Sequence, residues 1–342
     1  MKAIITCPFI PIANRVGSHR GAQGVIYADM IKQTGVDIEV NYGGKIEDHN
    51  QYDAMYVYHG NDWAGGLNLF GGMTAFPYAF NTRNFSQFKG KVYSIGIDFP
   101  PYHEMIQDRL DKGKGKAIQQ EWLDVDLVNL KRMHEEAETI DLISSSDKLV
   151  IGDSHAISLY RPGWLVNSVP FKTLNGALNR GLDQFVADIK PIEEINNLDI
   201  YFGNIDIRHH LCRLEGDSIE LTTELAKRYL DHAESLSVDN VSLYELLPIE
   251  DESRKVPKSG HYKGQAFWGS REERNECRLA FKEYLESNCD KCQIVSWVNK
   301  LQNGEGQLDF KCMEKPRSIH LSREYYPYWT GLEQDNTINT LF

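Results

Sequence analysis

Short apolar runs alternate with longer amphipathic stretches through the second half of the chain, and few folds accommodate that pattern. The apolar runs lie near residues 148–152, 164–169, 198–203, 241–247 and 293–298. Helical spacing between them predicts helices near residues 155–160, 177–190, 217–236 and 271–288. Strands that are separated by helices usually pair in parallel, and the helices then cover both faces of the sheet. The sequence therefore predicts an α/β domain over residues 147–342.

The first 146 residues carry a second set of the same signals. Strands are predicted at residues 2–9, 37–41, 52–58 and 91–98, and helices at residues 25–34 and 116–138. The polar run Ser144-Ser145-Ser146-Asp147 is typical of a hinge between domains. A chain of 342 residues is long enough for two domains, each with its own core. We expect a smaller Rossmann-like α/β domain over residues 1–146, followed by the larger one.

Composition limits the classes of function. The chain is 41% hydrophobic and 25% charged, as in ordinary soluble globular proteins, and no apolar stretch approaches the ~18 residues of a membrane span. A formal net charge of −12, without lysine- or arginine-rich runs, argues against broad binding to nucleic-acid backbone. The composition is still compatible with a local basic patch. The N-terminal apolar run is not followed by a cleavage-type sequence, so we expect a cytoplasmic protein without a membrane partner. Composition does not determine the oligomeric state.

The tetrapeptide Gly152-Asp153-Ser154-His155 joins a predicted strand to a predicted helix. A serine in this position has its hydroxyl at the mouth of the sheet, beside the unpaired N–H groups of a helix N-terminus. That arrangement suits nucleophilic attack on a carbonyl carbon. Gly, Asp and Ser are also ordinary residues of strand-to-helix turns, so the triplet alone is compatible with a purely structural turn.

Further polar groups follow in a compatible order. Gly176 comes after a predicted strand, where a glycine lets a backbone N–H approach a bound oxygen. Asn204 follows the strand near 198–203 and can donate its amide to an oxyanion. His320, near the C-terminus, can act as general base. Ser154, Gly176 and Asn204 all follow the carboxyl ends of strands, where open α/β sheets bind ligands.

Charged and ring side chains flank these positions and are candidates for substrate binding. Asp153 and His155 adjoin the serine, and Asp206, Arg208 and His209 adjoin the asparagine. Carboxylates, guanidinium groups and imidazoles can fix a polar substrate or one another.

The segments around Ser154, Gly176, Asn204 and His320 form four sequence blocks, in that order. In these four blocks the chain resembles the SGNH (GDSL-type) hydrolase family over about residues 147–325. The resemblance implies a flavodoxin-like parallel sheet, with Ser154 as the nucleophile and His320 as the base. It also implies an oxyanion hole made of the Ser154 and Gly176 N–H groups and the Asn204 amide. The reaction would pass through an ester intermediate on the serine. No cofactor and no metal is expected.

Two of the blocks depart from the family pattern. The usual third block reads Gly-x-Asn-Asp, whereas Gly203-Asn204-Ile205-Asp206 shifts the asparagine by one position. The usual fourth block has an aspartate three residues before the histidine, and Arg317 stands there in this chain. His320 must then be oriented by a backbone carbonyl or another acid, or the site is a dyad, or hydrolysis has been lost. The third block, continued to His210, resembles a Gly-Glu-Ile-Asp-Cys-Arg-x-His variant of SGNH-like proteins from bacterial glycan clusters and phages.

The leading hypothesis is an SGNH-type serine esterase or acyltransferase that acts on an O-acylated carbohydrate, glycan or modified nucleotide. One alternative is a module that binds a glycan without turnover, which predicts that His320 lies far from the Ser154 hydroxyl. Another is a glycosyl or acyl transferase whose N-terminal domain holds the acceptor, since residues 52–100 faintly resemble the N-terminal lobe of phage DNA glucosyltransferases. The expected partner is a small molecule or a glycan.

Six cysteines raise the question of a metal site. Cys289-Asp290-Lys291-Cys292, flanked by Cys277 and Cys312, could in principle form a four-thiolate zinc site. Cys277 lies within a predicted helix and the spacings are irregular, so packed thiols are the preferred interpretation. Cys7 and Cys212 are expected to be ordinary buried thiols.

Overall fold

The computed structural model describes thirteen segments of the chain, which are residues 1–6, 22–41, 49–58, 86–96, 98–112, 125–142, 145–161, 163–169, 172–250, 263–264, 267–314, 319–322 and 325–327. The chain divides into two compact units, residues 1–145 and residues 146–342, next to the boundary predicted between residues 146 and 147. Each unit contains a five-stranded parallel sheet with helices, so the predicted α/β fold class is confirmed.

Unit 1 has the strands β1 (Lys2–Thr6), β2 (Asp37–Asn41), β3 (Ala54–Tyr58), β4 (Lys91–Ile95) and β5 (Glu138–Ile140). They pair in parallel in the order β2-β1-β3-β4-β5. The helices are α1 (Ala22–Lys32), α2 (Tyr102–Lys112) and α3 (Leu127–Glu136), and His49–Gln51 forms a 3₁₀ turn. The core combines side chains from the sheet with side chains from α2 and α3, among them Met55, Val57, Val92, Ile106, Leu130 and Met133.

The helix predicted over residues 116–138 is shorter in the structure. Within the described residues, α3 begins after Asp126, whose side chain accepts a hydrogen bond from the Asn129 N–H and so caps the helix. It ends at Glu136, and residue 138 already belongs to β5. Residues 116–124 of the prediction lie outside the described part. The sequence did not reveal α2, because its apolar stripe is narrow and most of its side chains are polar.

Unit 2 has the strands β6 (Lys148–Asp153), β7 (Leu165–Val169), β8 (Asn197–Tyr201), β9 (Asn240–Tyr244) and β10 (Gln293–Val295). They are parallel and follow the order β10-β9-β8-β6-β7. Counted within the unit this is the order 2-1-3-4-5, as in doubly wound sheets of flavodoxin type. The chain reverses its direction of winding between β6 and β8, and such sheets bind ligands at the carboxyl ends of the strands beside that point. The assignment to a flavodoxin-like family stays a prediction, as does the Rossmann-like one for unit 1.

The helices of unit 2 are α4 (Leu174–Arg180), α5 (Leu182–Ala187), α6 (Asn204–His209), α7 (Ser218–Glu234) and α8 (Arg271–Asn288). Short 3₁₀ turns lie at Ala156–Leu159, Ile192–Glu194, Leu211–Arg213, Val298–Leu301 and Phe310–Cys312. Helix α7 begins at an Asp217 cap, and α8 begins with a capping box between Ser270 and Glu273. The two helices pack side by side, and their Tyr229 and Phe281 rings stack with centroids 5.9 Å apart.

Two helix predictions in unit 2 need correction. The helix predicted near residues 177–190 is two helices, because Gly181 between them has a φ of 98° that a continuous helix does not allow. The helix predicted near residues 155–160 is a single 3₁₀ turn of four residues. A turn of that length has only a small dipole, so little stabilisation of a bound anion is expected from it.

None of the helices in the described part of the chain is both long enough and apolar enough to cross a membrane.

Candidate active site

Ser154 and His320 meet at the carboxyl end of β6. The serine is the first residue after that strand, and its Oγ lies 2.8 Å from Nε2 of His320. The two residues are 166 positions apart in the sequence. The structure therefore brings together the two residues that the sequence predicts as nucleophile and base.

Gly152 allows the neighbouring strands β6 and β8 to approach each other, two residues before the serine. A Cβ atom added to it would lie 2.3 Å from the Tyr201 carbonyl oxygen and 2.6 Å from the Ala156 Cβ. Gly152 and Tyr201 are also direct partners in the β6–β8 register. A side chain at position 152 would have to displace strand backbone, so the glycine of the motif has a steric reason that is independent of any chemistry.

His155 connects the turn after β6 to the segment that carries His320. Oδ1 of Asp153 accepts the backbone N–H of His155 at 2.8 Å and lies 2.8 Å from Nδ1 of the same residue. On the other side of the ring, Nε2 lies 3.2 Å from the Ile319 carbonyl oxygen. The His155 and His320 rings stack with centroids 4.7 Å apart. Asp153 and His155 are both buried, and these contacts suit positioning of His320.

Glu314 faces the other nitrogen of His320. Met313 and Leu321 form an antiparallel bridge, and the Glu314 N–H donates to the His320 carbonyl at 2.9 Å. Oε1 of Glu314 lies 3.9 Å from Nδ1 of His320, and its side chain is only 7% exposed. Sequence reasoning missed Glu314 because the family spacing directs attention to Arg317, which lies outside the described residues. The available signal was that Glu314 is the only acidic residue between Asp309 and His320.

Asn204 is the first residue of α6 and is fully buried. Its Oδ1 accepts from Nη1 of Arg208 at 2.9 Å and from the Leu247 N–H at 3.2 Å. Its Nδ2 makes no hydrogen bond of good geometry to any described residue. Burial raises the pKa of the Tyr201 hydroxyl and the Asn204 side chain lowers it in part, so these two groups are close neighbours. The amide is thus held by its oxygen, while its nitrogen lies beside the Tyr201 hydroxyl and is the donor of the side chain.

Arg208 holds this asparagine and is itself buried. Its Nε donates to Oε2 of Glu250 at 2.7 Å, and its Nη2 donates to the Pro248 carbonyl at 2.9 Å. With a side chain only 1% exposed, Arg208 joins α6 to the segment after β9. The neighbouring His209 is also buried, and its ring lies parallel to that of Phe267 with centroids 6.1 Å apart.

Asp206 joins the third block to the second. Its Oδ2 accepts the Leu174 N–H at 2.6 Å, and its Oδ1 accepts the Asn175 N–H at 3.2 Å. Burial raises the pKa of Asp206 to about 6, while these two N–H bonds oppose the rise. The N–H of Gly176, one residue further on, donates to the Thr173 hydroxyl at 3.0 Å. The start of α4 is therefore fixed against α6.

Comparisons with known proteins found little. No family model matches the chain, and no curated protein matches it. One solved structure, described as "The structure of a putative platelet activating factor from Streptococcus pneumonia", is 14% identical, with a TM-score of 0.39, over 56% of this chain and 84% of that chain. A second is 13% identical, with a TM-score of 0.34, over 57% of this chain and 98% of that chain. Scores this low carry no argument about activity.

Proposed function

We propose that unit 2 is a serine esterase or acyltransferase of SGNH type, with Ser154 as nucleophile and His320 as general base. The observation that supports this proposal most directly is the distance of 2.8 Å between the Ser154 Oγ and the His320 Nε2. A nucleophile and its base must be within this reach before the proton can move.

The surroundings of His320 favour the tautomer that the reaction needs. A ring whose Nδ1 faces a carboxylate carries its proton there, so its Nε2 is left as an acceptor for the serine hydroxyl. Glu314, at 3.9 Å from Nδ1, supplies that carboxylate. In the proposed reaction, Nε2 takes the Ser154 proton as Oγ attacks an ester carbonyl, and the resulting imidazolium returns the proton to the leaving alcohol. Water, or an acceptor alcohol, then repeats these steps on the acyl-enzyme.

Asn204 is the best candidate for stabilising the oxyanion. Its buried Nδ2 has no hydrogen-bond partner of good geometry among the described residues, and it follows β8, the strand next to β6. The Ser154 N–H is a second donor by the family resemblance. The Gly176 N–H already donates to the Thr173 hydroxyl, so it can contribute only if that bond is shared or broken. We therefore assign the larger part of the stabilisation to Asn204.

Binding without turnover is the weaker interpretation. It predicts that His320 lies far from the Ser154 hydroxyl, and the observed 2.8 Å argues against it. The substrate class, an acyl ester of a carbohydrate, glycan or modified nucleotide, rests on the family resemblance alone. The hypothesis of a transferase with its acceptor on unit 1 stays a prediction.

The test is covalent labelling with a fluorophosphonate probe, read by intact mass. Attack of Oγ on phosphorus expels fluoride and leaves a stable phosphonyl ester on the serine. We expect one adduct on the native chain and none on Ser154→Ala. No adduct on the native chain, or an adduct that persists on Ser154→Ala, would refute the proposed nucleophile.

Ser296→Ala is the matched control. Ser296 also follows a strand of the same sheet, β10, and so lies at the same edge as Ser154. Three strand spacings, roughly 14 Å, separate the two positions. Labelling of this variant should equal that of the native chain.

A further inference from the structure

Two cysteines and one glutamate meet at the turn between α8 and β10. Cys289 directly follows α8, Cys292 directly precedes β10, and Glu234 is the last residue of α7. One potential ligand atom from each residue, the two Sγ atoms and a carboxylate oxygen, lies within 4.8 Å of the other two. All three residues are partly exposed, so a small ion can reach them from solvent.

The backbone of the turn fixes the carboxylate in place. Oε1 of Glu234 accepts the N–H groups of Asp290 and Lys291 at 2.8 and 3.0 Å. The Cys289 thiol donates across the turn to the Cys292 carbonyl oxygen, with its Sγ 2.9 Å from that oxygen. Three groups that are anionic when deprotonated, two on the turn and one at the end of α7, thus lie close together, and a bound cation would stabilise them.

This set differs from the four-thiolate zinc site that the sequence spacing allows but does not favour. Cys277 is buried on α8, where its Sγ lies 3.7 Å from the Ser218 carbonyl, and it interacts with Cys212. Cys312 is also buried, in the 3₁₀ turn Phe310–Cys312, away from the other two cysteines in the sequence. Sequence spacing could not reveal the third group, because Glu234 lies 55 positions before Cys289 and reaches it only through the packing of α7 on α8.

We propose that Cys289, Cys292 and Glu234 bind a thiophilic divalent cation of the zinc class. Zinc takes thiolate sulfur at about 2.3 Å and carboxylate oxygen at about 2.0–2.2 Å in a tetrahedral arrangement. Ligand atoms around such an ion are roughly 3.3–3.8 Å apart, so shifts of about an ångström or less complete the site. Binding releases the thiol protons of the two cysteines to solvent, and water takes the fourth position.

The position of this site indicates a structural role. Cys292 lies at the amino end of β10, whereas Ser154 follows the carboxyl end of β6 in the same parallel sheet. The ion would therefore lie at the opposite edge from the candidate active site. It would tie the end of α7 to the turn between α8 and β10, so its loss should lower thermal stability and leave Ser154 labelling unchanged.

Cobalt(II) titration of the reduced, metal-free full-length protein tests the proposal. Cobalt replaces zinc at thiolate sites and gives an intense sulfur-to-metal charge-transfer band in the near ultraviolet. We expect one equivalent to produce this band, zinc to displace it, and either ion to raise the melting temperature. Cys289→Ser and Cys292→Ser should each abolish the band. Glu234→Gln, which keeps the oxygen that accepts the two N–H groups, should weaken cobalt binding.

Two variants serve as controls. Cys212→Ser removes a partly exposed thiol outside the cluster, and Glu224→Gln removes a carboxylate from the exposed face of α7. Both should keep the band. Absence of the band in the native reduced protein, or its survival in Cys289→Ser, overturns the proposal. A chain isolated without reductant that is lighter by two hydrogens, and that binds no cobalt after reduction, would identify a redox pair instead and would also overturn it.

Discussion

Oε1 of Glu314 lies 3.9 Å from Nδ1 of His320, across a loop that Met313 and Leu321 close as an antiparallel bridge. This separation is longer than a hydrogen bond but within the reach of an ion pair with the protonated ring. The carboxylate can both orient the ring and stabilise the imidazolium that forms during attack. In the proposed function, Glu314 takes the role of the acid that the family pattern places at the position of Arg317.

Glu314→Gln should lower kcat on an activated acyl ester by on the order of 10²–10⁴-fold, because the amide neither fixes the tautomer nor stabilises the imidazolium. KM should change little, since Glu314 acts through His320, and the rate of fluorophosphonate labelling should fall in parallel with kcat. Glu305→Gln, an exposed glutamate nearby, is the control. A Glu314→Gln enzyme with native kcat would show that the site works as a dyad.

Asn204→Asp should reduce kcat by about 10²–10³-fold, the usual effect of losing one oxyanion donor. The aspartate keeps an oxygen for Arg208 and for the Leu247 N–H, so the fold is preserved while the Nδ2 donor is lost. Steady-state kinetics on the same ester measure the effect, and circular dichroism verifies the fold. Activity within a few-fold of native would assign the oxyanion to backbone N–H groups alone.

The sequence predicted the α/β class and the approximate positions of the five strands described in unit 2, because buried parallel strands appear as short apolar runs. It also identified Ser154 and His320 as the candidate nucleophile and base, and the Ser154 Oγ lies 2.8 Å from the His320 Nε2. Motif order is sufficient for the serine, since the blocks of Ser154, Gly176 and Asn204 follow strand ends at one edge of the sheet. His320 lies on a segment after the last described strand, beside the Met313–Leu321 bridge, and was found by its place in the motif order alone.

The remaining features depend on packing that no local pattern encodes. Glu314 faces His320 only because a bridge closes the loop between them. The sequence predicts Arg208 as a substrate-binding residue. In the structure its guanidinium donates hydrogen bonds to Glu250, Asn204 and a backbone carbonyl. Likewise, the sequence pattern around Gly181 does not indicate the positive φ with which this residue divides one predicted helix into two.

Gly152→Ala should lower the free energy of unfolding by about 3 kcal/mol or more, because overpacking costs 1–3 kcal/mol even where side chains can yield. Here the nearest atom is the Tyr201 carbonyl oxygen of the adjacent strand, at 2.3 Å from the added Cβ. Urea denaturation of both proteins measures the difference. Gly304→Ala, with no atom within 4 Å of its added Cβ, should be close to neutral. Equal stability of Gly152→Ala and native protein would contradict the strand geometry.

Asp206 should make the stability of the protein depend on pH below neutrality. Its folded-state pKa is raised by burial to about 6, against 3.8 for an ordinary aspartate. Between these two values the folded chain holds a proton that the unfolded chain has lost, so the free energy of unfolding falls as pH rises. The contribution is fully present below about pH 4 and is lost above about pH 6, a change of about 3 kcal/mol.

Asp206→Asn should remove this dependence, because the amide does not titrate. Urea denaturation at several values from pH 4 to pH 7 gives the stability of native and variant chains. The native value minus the variant value should decrease by about 3 kcal/mol over that range. Asp239→Asn changes an exposed aspartate and should leave the native pH dependence in place. A difference that is constant with pH would mean that Asp206 ionises normally, and that its bonds from the Leu174 and Asn175 N–H groups offset the effect of burial.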